Sequence, residues 1–185
     1  MTAVYLAKIP KNPVLSAVLP VERQIEISFA DSKKVKAQKY YVWKLLEHAL
    51  GKHFPNISVS SAKKRVDGKW LVDGVYFSLS HTENLVCVAV SEKPVGVDAQ
   101  KTSAVTERAV SFVLSDGERG FVEENSLSFA QVWTMKEAIF KRDGEFSSIR
   151  TADIRRPCFT KIFDEEDLTV AVATDQKPTI VWAKL

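Results

Sequence analysis

Cysteine and histidine are scarce in this 185-residue chain: it holds two cysteines, Cys87 and Cys158, and three histidines. Two cysteines make no disulfide framework. Each sits in a β-like run, LVCVAV or PCFTKIF, where a thiol packs as a small buried hydrophobe, and a reducing cytoplasm fits. No Cys/His cluster has zinc spacing. Long apolar runs are also missing. None approaches the ~20 residues that span a bilayer, so no membrane insertion is expected. Met1 to Pro13 carries only a short apolar stretch without a small-residue cleavage site, so no secretory signal is expected there. No low-complexity segment or linker divides the chain. What remains is ordinary globular composition, 45% hydrophobic and 26% charged, for one domain or two small lobes sharing an interface.

The formal net charge of +3 hides an asymmetry. Residues 31–70 hold ten Lys/Arg against three acids, so this segment is +7 and the remainder −4. Such a patch attracts an anionic partner, such as a nucleotide, a nucleic acid or an acidic protein, or is simply a solvated helix face.

Residues 31–50 read as a helix, with Val35, Val42, Trp43, Leu46, Ala49 and Leu50 on one stripe. Asp31 or Ser32 caps its start and Gly51 closes its end. Extended stretches follow at Ile57–Ser60, Val75–Ser80 and Leu85–Ser91, the last two joined by a loop from His81 to Asn84. The PVGVDAQ run continues as a strand. Residues 103–113 form a second helix, Ser115 with Glu118 a capping box, and residues 127–142 the clearest later helix, its apolar side Phe129, Val132, Trp133 and Phe140, with Gly144 after its end. Strands near 158–164, 168–174 and 179–183 finish the chain. Residues 83–94 weakly echo residues 166–178, as two similar α+β lobes, each running helix, strand, hairpin, would do. A ligand would then lie between the lobes.

Three segments carry polar residues that a core does not explain: SLSHT at 78–82, GVDAQ at 96–100 and WTMKEAIFK at 133–141. Asp98 and Gln100 alternate along a strand and share a face, while Val95 and Val97 point to the core. Trp133, Glu137 and Lys141 align on one side of a helix. If strand and helix pack together, Asp98, Gln100 and Glu137 converge as hard oxygen donors suited to Mg²⁺, and Lys141 and His81 can hold phosphate oxygens. Each residue taken alone also has a plainer reading: Asp98 as a turn residue, Glu137 and Lys141 as a surface pair worth ~0.3–0.5 kcal/mol, and His81 as a solvated histidine.

Taken together and in this order, GVDAQ followed by WTMKEAIFK resembles the paired motif of the 4′-phosphopantetheinyl transferases, Gly-hydrophobic-Asp-x-Glu then Trp-x-x-Lys-Glu-Ala/Ser-x-x-Lys. YFSLSHT is similar to the Phe-Asn-x-Ser-His-Ser stretch of the Sfp-type subgroup. Gly68-Lys69 resembles its Gly-Lys-Pro segment, and the helix with Ala37-Gln38-Lys39 its basic helix. The resemblance covers roughly residues 31–145; the first 30 residues add little. It implies an α+β fold of two pseudo-symmetric lobes, each a small, mostly antiparallel sheet on a long helix, divided here as 1–92 and 93–185. It also implies a cytoplasmic monomer that transfers the phosphopantetheine arm of coenzyme A to a serine of an apo acyl or peptidyl carrier protein, with no role for nucleic acid or membrane. By position, Asp98, Gln100 and Glu137 would ligate Mg²⁺ or Mn²⁺. Lys39, Lys69, Ser80, His81 and Lys141 would contact coenzyme A, and Glu137, Lys141 and Asp98 would carry the chemistry, Glu137 as general base.

Three departures stand out. Gln100 replaces an acid, Trp70 replaces the proline after Gly-Lys, and the glycine-rich end is reduced to Arg142-Asp143-Gly144-Glu145. A relative that binds coenzyme A or a carrier without turnover is therefore a second reading. Nucleic-acid binding through residues 31–70 is a third, but the sequence has no helix-turn-helix pattern, zinc finger or RNP-like strand.

Overall fold

A computed structural model describes residues 1–15, 19–144 and 148–185, so Glu145 lies outside the described residues. The chain enters on β1 (Thr2–Lys8), followed by α1 (Val21–Ser28) and the long α2 (Lys33–His53). Two short strands, β2 (Lys63–Lys64) and β3 (Trp70–Leu71), pair with each other ahead of the hairpin β4 (Tyr76–Thr82) and β5 (Leu85–Ser91). After β6 (Gly96–Lys101) come α3 (Glu107–Val113), α4 (Asp116–Glu124) and α5 (Phe129–Asp143). A second hairpin, β7 (Cys158–Phe163) and β8 (Leu168–Ala173), precedes β9 (Thr179–Trp182).

The strands form two principal sheets, ordered β4-β5-β1-β9 and β6-β8-β7, with the expected α+β character. All pairings in them are antiparallel except β1 with β9. Side-chain alternation divides the core into three apolar layers. Val86, Val88 and Val90 of β5 and Tyr5 of β1 pack on α2, against Trp43 and Leu46. Leu85, Cys87 and Ala89, with Val4 and Leu6, face Val97, Ala99, Val170 and Val172 of the other sheet. Ala171 and Ala173 turn the other way, onto Ala138 and Ile139 of α5. The layering is thus helix, sheet, sheet, helix.

Several local expectations need correction. Gly51 does not end α2; the helix continues to His53, with Phe54 at its C-cap, and Ser32 accepts from the Val35 amide at the start. Ile57–Ser60 is not a strand: Ser58 accepts from the Ser60 amide and the chain closes a 3-10 turn over Val59–Ser61. His81 and Thr82 belong to β4, so the hairpin turn shrinks to Glu83-Asn84, with Glu83 at positive φ. The second helix starts later, at Glu107. Phe129 is 45% exposed, and the inner face of α5 is instead Ala130, Val132, Met135, Ala138 and Ile139. The Ser115–Glu118 capping box and the Gly144 left-handed cap are present.

Candidate active site

The two sheets meet where β4 runs beside β6, and the join is made by side chains. Ser78 Oγ accepts from the Val97 amide at 2.9 Å, and Ser80 Oγ accepts from the Ala99 amide at 3.1 Å. Alternate serines thus replace the carbonyls that a ladder would use. Ser80 also donates to Asp98 Oδ1 at 2.8 Å. Asp98 is only 4% exposed, yet its Oδ2 has no hydrogen-bond partner.

The α5 helix approaches β6 closely because residue 96 is glycine. A Cβ there would overlap the Ala138 carbonyl oxygen and lie 2.6 Å from the Arg142 nitrogen. That contact brings the charged side of α5 over Asp98. Lys141 Nζ donates to Asp98 Oδ1 at 2.7 Å and to the Val97 carbonyl at 3.3 Å. Glu137, one turn earlier, is half-buried. Burial raises its pKa and the Asp98 charge adds to the rise, while Lys141 opposes them. Gln100 lies two residues beyond Asp98 on β6, also half-buried. The sequence-predicted Asp98, Glu137 and Lys141 are therefore brought together.

Among the described residues, no group of three His, Cys, Asp or Glu side chains is arranged to hold a metal ion. The donors that a divalent cation would find are two carboxylates and the Gln100 amide. They fit such an ion in one specific respect: the free Oδ2 of Asp98 is a buried anionic oxygen without a partner, beside a second carboxylate whose ionisation is disfavoured.

Lys141 also lines an adjoining cavity of about 520 Å³, whose walls include Lys69, Trp70, Phe77, Leu79 and Phe140. Lys69 Nζ donates to the Lys141 carbonyl at 3.2 Å, so one lysine caps the last turn of the helix that carries the other. His81 has its pKa held below the ordinary histidine value, first by partial desolvation and then by the positive charges of Lys141, Arg23 and Lys39, against the pull of Asp98. Arg23, on the unexpected helix α1, lies 5.6 Å from the Trp43 ring centroid and donates to the Lys39 carbonyl at 2.8 Å. Glu26 pairs with both Arg23 and Lys64, so part of the basic segment is neutralised within the molecule. Lys39 Nζ reaches the Glu26 carbonyl at 3.4 Å.

No family model matches the chain. It is 29% identical over 99 residues to the 4′-phosphopantetheinyl transferase gsp of Aneurinibacillus migulanus, covering 50% of this chain and 41% of that one. It is 28% identical over 121 residues to a 4′-phosphopantetheinyl transferase of Bacillus subtilis, covering 53% and 54%. It is 25% identical over 111 residues to the transferase Sfp of Bacillus subtilis strain 168, covering 48% and 50%. By sequence, about half of the chain is similar to these 4′-phosphopantetheinyl transferases. The chain spans about half the length of these curated relatives.

One residue of the WTMKEAIFK segment lies outside the cleft. Lys136, the residue before Glu137, is wholly buried and faces away from the cleft. Its Nζ donates to Glu118 at 2.7 Å and to the carbonyls of Ala152 at 2.6 Å and Arg150 at 3.2 Å. Glu118 in turn accepts from the Ile154 amide. Sequence spacing reveals the Glu118 capping box but not this long-range partner. Both cysteines are free thiols, and burial pushes that of Cys158 up to about 12. Among the described residues, no helix is long and apolar enough to cross a membrane.

Proposed function

We propose that the chain transfers the 4′-phosphopantetheine arm of coenzyme A to a serine of an apo acyl or peptidyl carrier protein, releasing adenosine 3′,5′-bisphosphate. The observation that carries this reading is Asp98: buried, gripped on one oxygen by Ser80 and by Lys141, which itself lines the adjoining cavity, and without a hydrogen-bond partner on the other. The carrier serine oxygen bonds to the phosphorus bearing pantetheine, and the bond from that phosphorus to the oxygen of the adenosine 5′-phosphate breaks. Glu137 accepts the serine proton. Its raised pKa brings it nearer to the working pH, as general base catalysis favours. Lys141, with Lys69 and His81, neutralises the pyrophosphate, and Lys39 supplies positive charge toward the adenosine side. Ser80 serves the site through Asp98, to which its proton is committed.

Asp98, Glu137 and the Gln100 oxygen would hold Mg²⁺, or Mn²⁺ in its place. Such an ion supplies charge neutralisation for the pyrophosphate. Removing one acid from the set weakens metal affinity, which is the feature that keeps a non-catalytic coenzyme A- or carrier-binding relative as the second reading.

The Sfp-type division into two pseudo-symmetric lobes, 1–92 and 93–185, forms part of the proposal. It is supported by matching strand orders, β4-β5-β1 beside α2 and β7-β8-β6 beside α5. β9 then crosses back to the first sheet. A monomer in the reducing cytoplasm fits the free thiols. The test incubates the protein with coenzyme A, Mg²⁺ and apo carrier proteins of fatty acid, polyketide and peptide type. The expected result is a mass gain of one phosphopantetheine on a carrier, with release of adenosine 3′,5′-bisphosphate. Coenzyme A binding without either product identifies the non-catalytic relative.

A further inference from the structure

Trp70 is the cleft residue that neither the paired motif nor the charge pattern accounts for. It sits on β3 directly opposite Lys64 of β2, half-buried, and forms part of the cavity wall. Its indole is fixed from two sides. The ring of Trp43, wholly buried in α2, meets it at 77° with 4.8 Å between centroids, and Lys64 Nζ lies 5.9 Å from its centroid. Glu26 in turn holds Lys64. Trp70 is thus a braced aromatic wall with little freedom left to lose on binding.

The cavity sets this indole among apolar neighbours, Phe77, Leu79 and Phe140, with Lys69, Lys141 and Asp67 on the same lining, the Asp67 carboxylate paired with Arg65. Lys141 is already paired with Asp98, so an acyl chain would use the apolar walls but leave the charge of Lys69, which donates to the Lys141 carbonyl, without an anion. An inorganic anion would use that charge and waste the walls. A ligand with a flat heteroaromatic ring carrying phosphate groups satisfies both. We propose that Trp70 is the wall against which the purine base of a nucleotide packs, and so the residue that makes this cleft select a nucleotide over a bare phosphate ester. The inference rests on the coenzyme A reading above, in which that base is adenine.

The test titrates three probes into wild type, Trp70→Ala and Trp70→Phe by calorimetry: coenzyme A, adenosine 3′,5′-bisphosphate, and 4′-phosphopantetheine, which lacks the base. Base–aromatic packing predicts that Trp70→Ala loses roughly five- to a hundredfold in affinity for the first two probes, that its 4′-phosphopantetheine affinity is unchanged, and that Trp70→Phe retains most of the binding. Thermal melts establish that each variant is folded. Equal weakening toward all three probes, or none, overturns the role of Trp70 and leaves the coenzyme A reading standing. Wild-type protein that binds neither coenzyme A nor adenosine 3′,5′-bisphosphate overturns both.

Discussion

Replacing Lys136 by methionine tests whether this motif lysine works by holding α5 in place. Its side chain is 0% exposed and that of Glu118 3%, and the pair bonds across 2.7 Å. The substitution keeps the volume and most of the apolar stem but strands the Glu118 carboxylate and the carbonyls of Arg150 and Ala152. Breaking a buried pair from one side costs about 3–5 kcal/mol. For a chain of this size that corresponds to a fall in melting temperature on the order of 10 °C. Adding Glu118→Gln removes the uncompensated charge while keeping an oxygen to accept from the Ile154 amide, so the double variant recovers part of the loss. Urea denaturation of wild type, both single variants and the double variant measures the coupling directly. The pair also sets an acid limit. Burial pushes the Glu118 pKa up, but Lys136, Ser115 and the Ile154 amide together hold it below the ordinary glutamate value. The stability it contributes is therefore full above that value and is lost as pH falls through the folded-state pKa. A Lys136→Met variant within ~1 kcal/mol of wild type, or no coupling to Glu118, would refute the clamp.

Three further outcomes are expected. Gly96→Ala forces a methyl into the backbone of α5, so it should destabilise by about 1–3 kcal/mol or more and, by moving Lys141 off Asp98, reduce transfer beyond what the stability loss explains; an unchanged melting temperature counts against the close approach. His81→Ala should raise KM for coenzyme A more than it lowers kcat, because the proposed phosphate contact would be present before and during reaction. Since the free imidazole titrates below its ordinary value, binding an anion draws a proton onto it, so wild-type affinity should strengthen as pH falls from 8 toward 6 and the variant's should not. Gln100→Glu should lower the Mg²⁺ concentration for half-maximal rate with a modest effect on kcat; superimposable Mg²⁺ titrations would place residue 100 outside the metal's reach.

The elements legible in the sequence were those with a clean period. The α5 helix, the two hairpins and the GVDAQ strand follow directly from 3.6- and 2-residue spacing. The first strand was not, because TAVYLA is buried on both faces and shows no alternation. The α1 helix carries no such signal, because Val21 and Ile25 point to solvent, against the usual pattern. The short run at 57–60 looked extended from its β-branched residues, yet Ser58 and its neighbours close a tight turn. The site divides in the same way. Asp98, Glu137 and Lys141 could be placed on faces by spacing alone, so their convergence needed only the packing of one strand on one helix. Ser78, Arg23 and the partner of Lys136 depend on contacts between segments distant in sequence, and no local pattern encodes those.

The hydroxyl-made join between β4 and β6 has a consequence for how this cleft changes over time. A backbone ladder offers the same amide at every position, so substitution cannot alter its width. A join through Ser78 and Ser80 can be altered one codon at a time, with threonine or cysteine shifting the gap while each sheet keeps its own pairing. The distance between the two sheets at this point is therefore set by two side chains, one of which, Ser80, also holds Asp98.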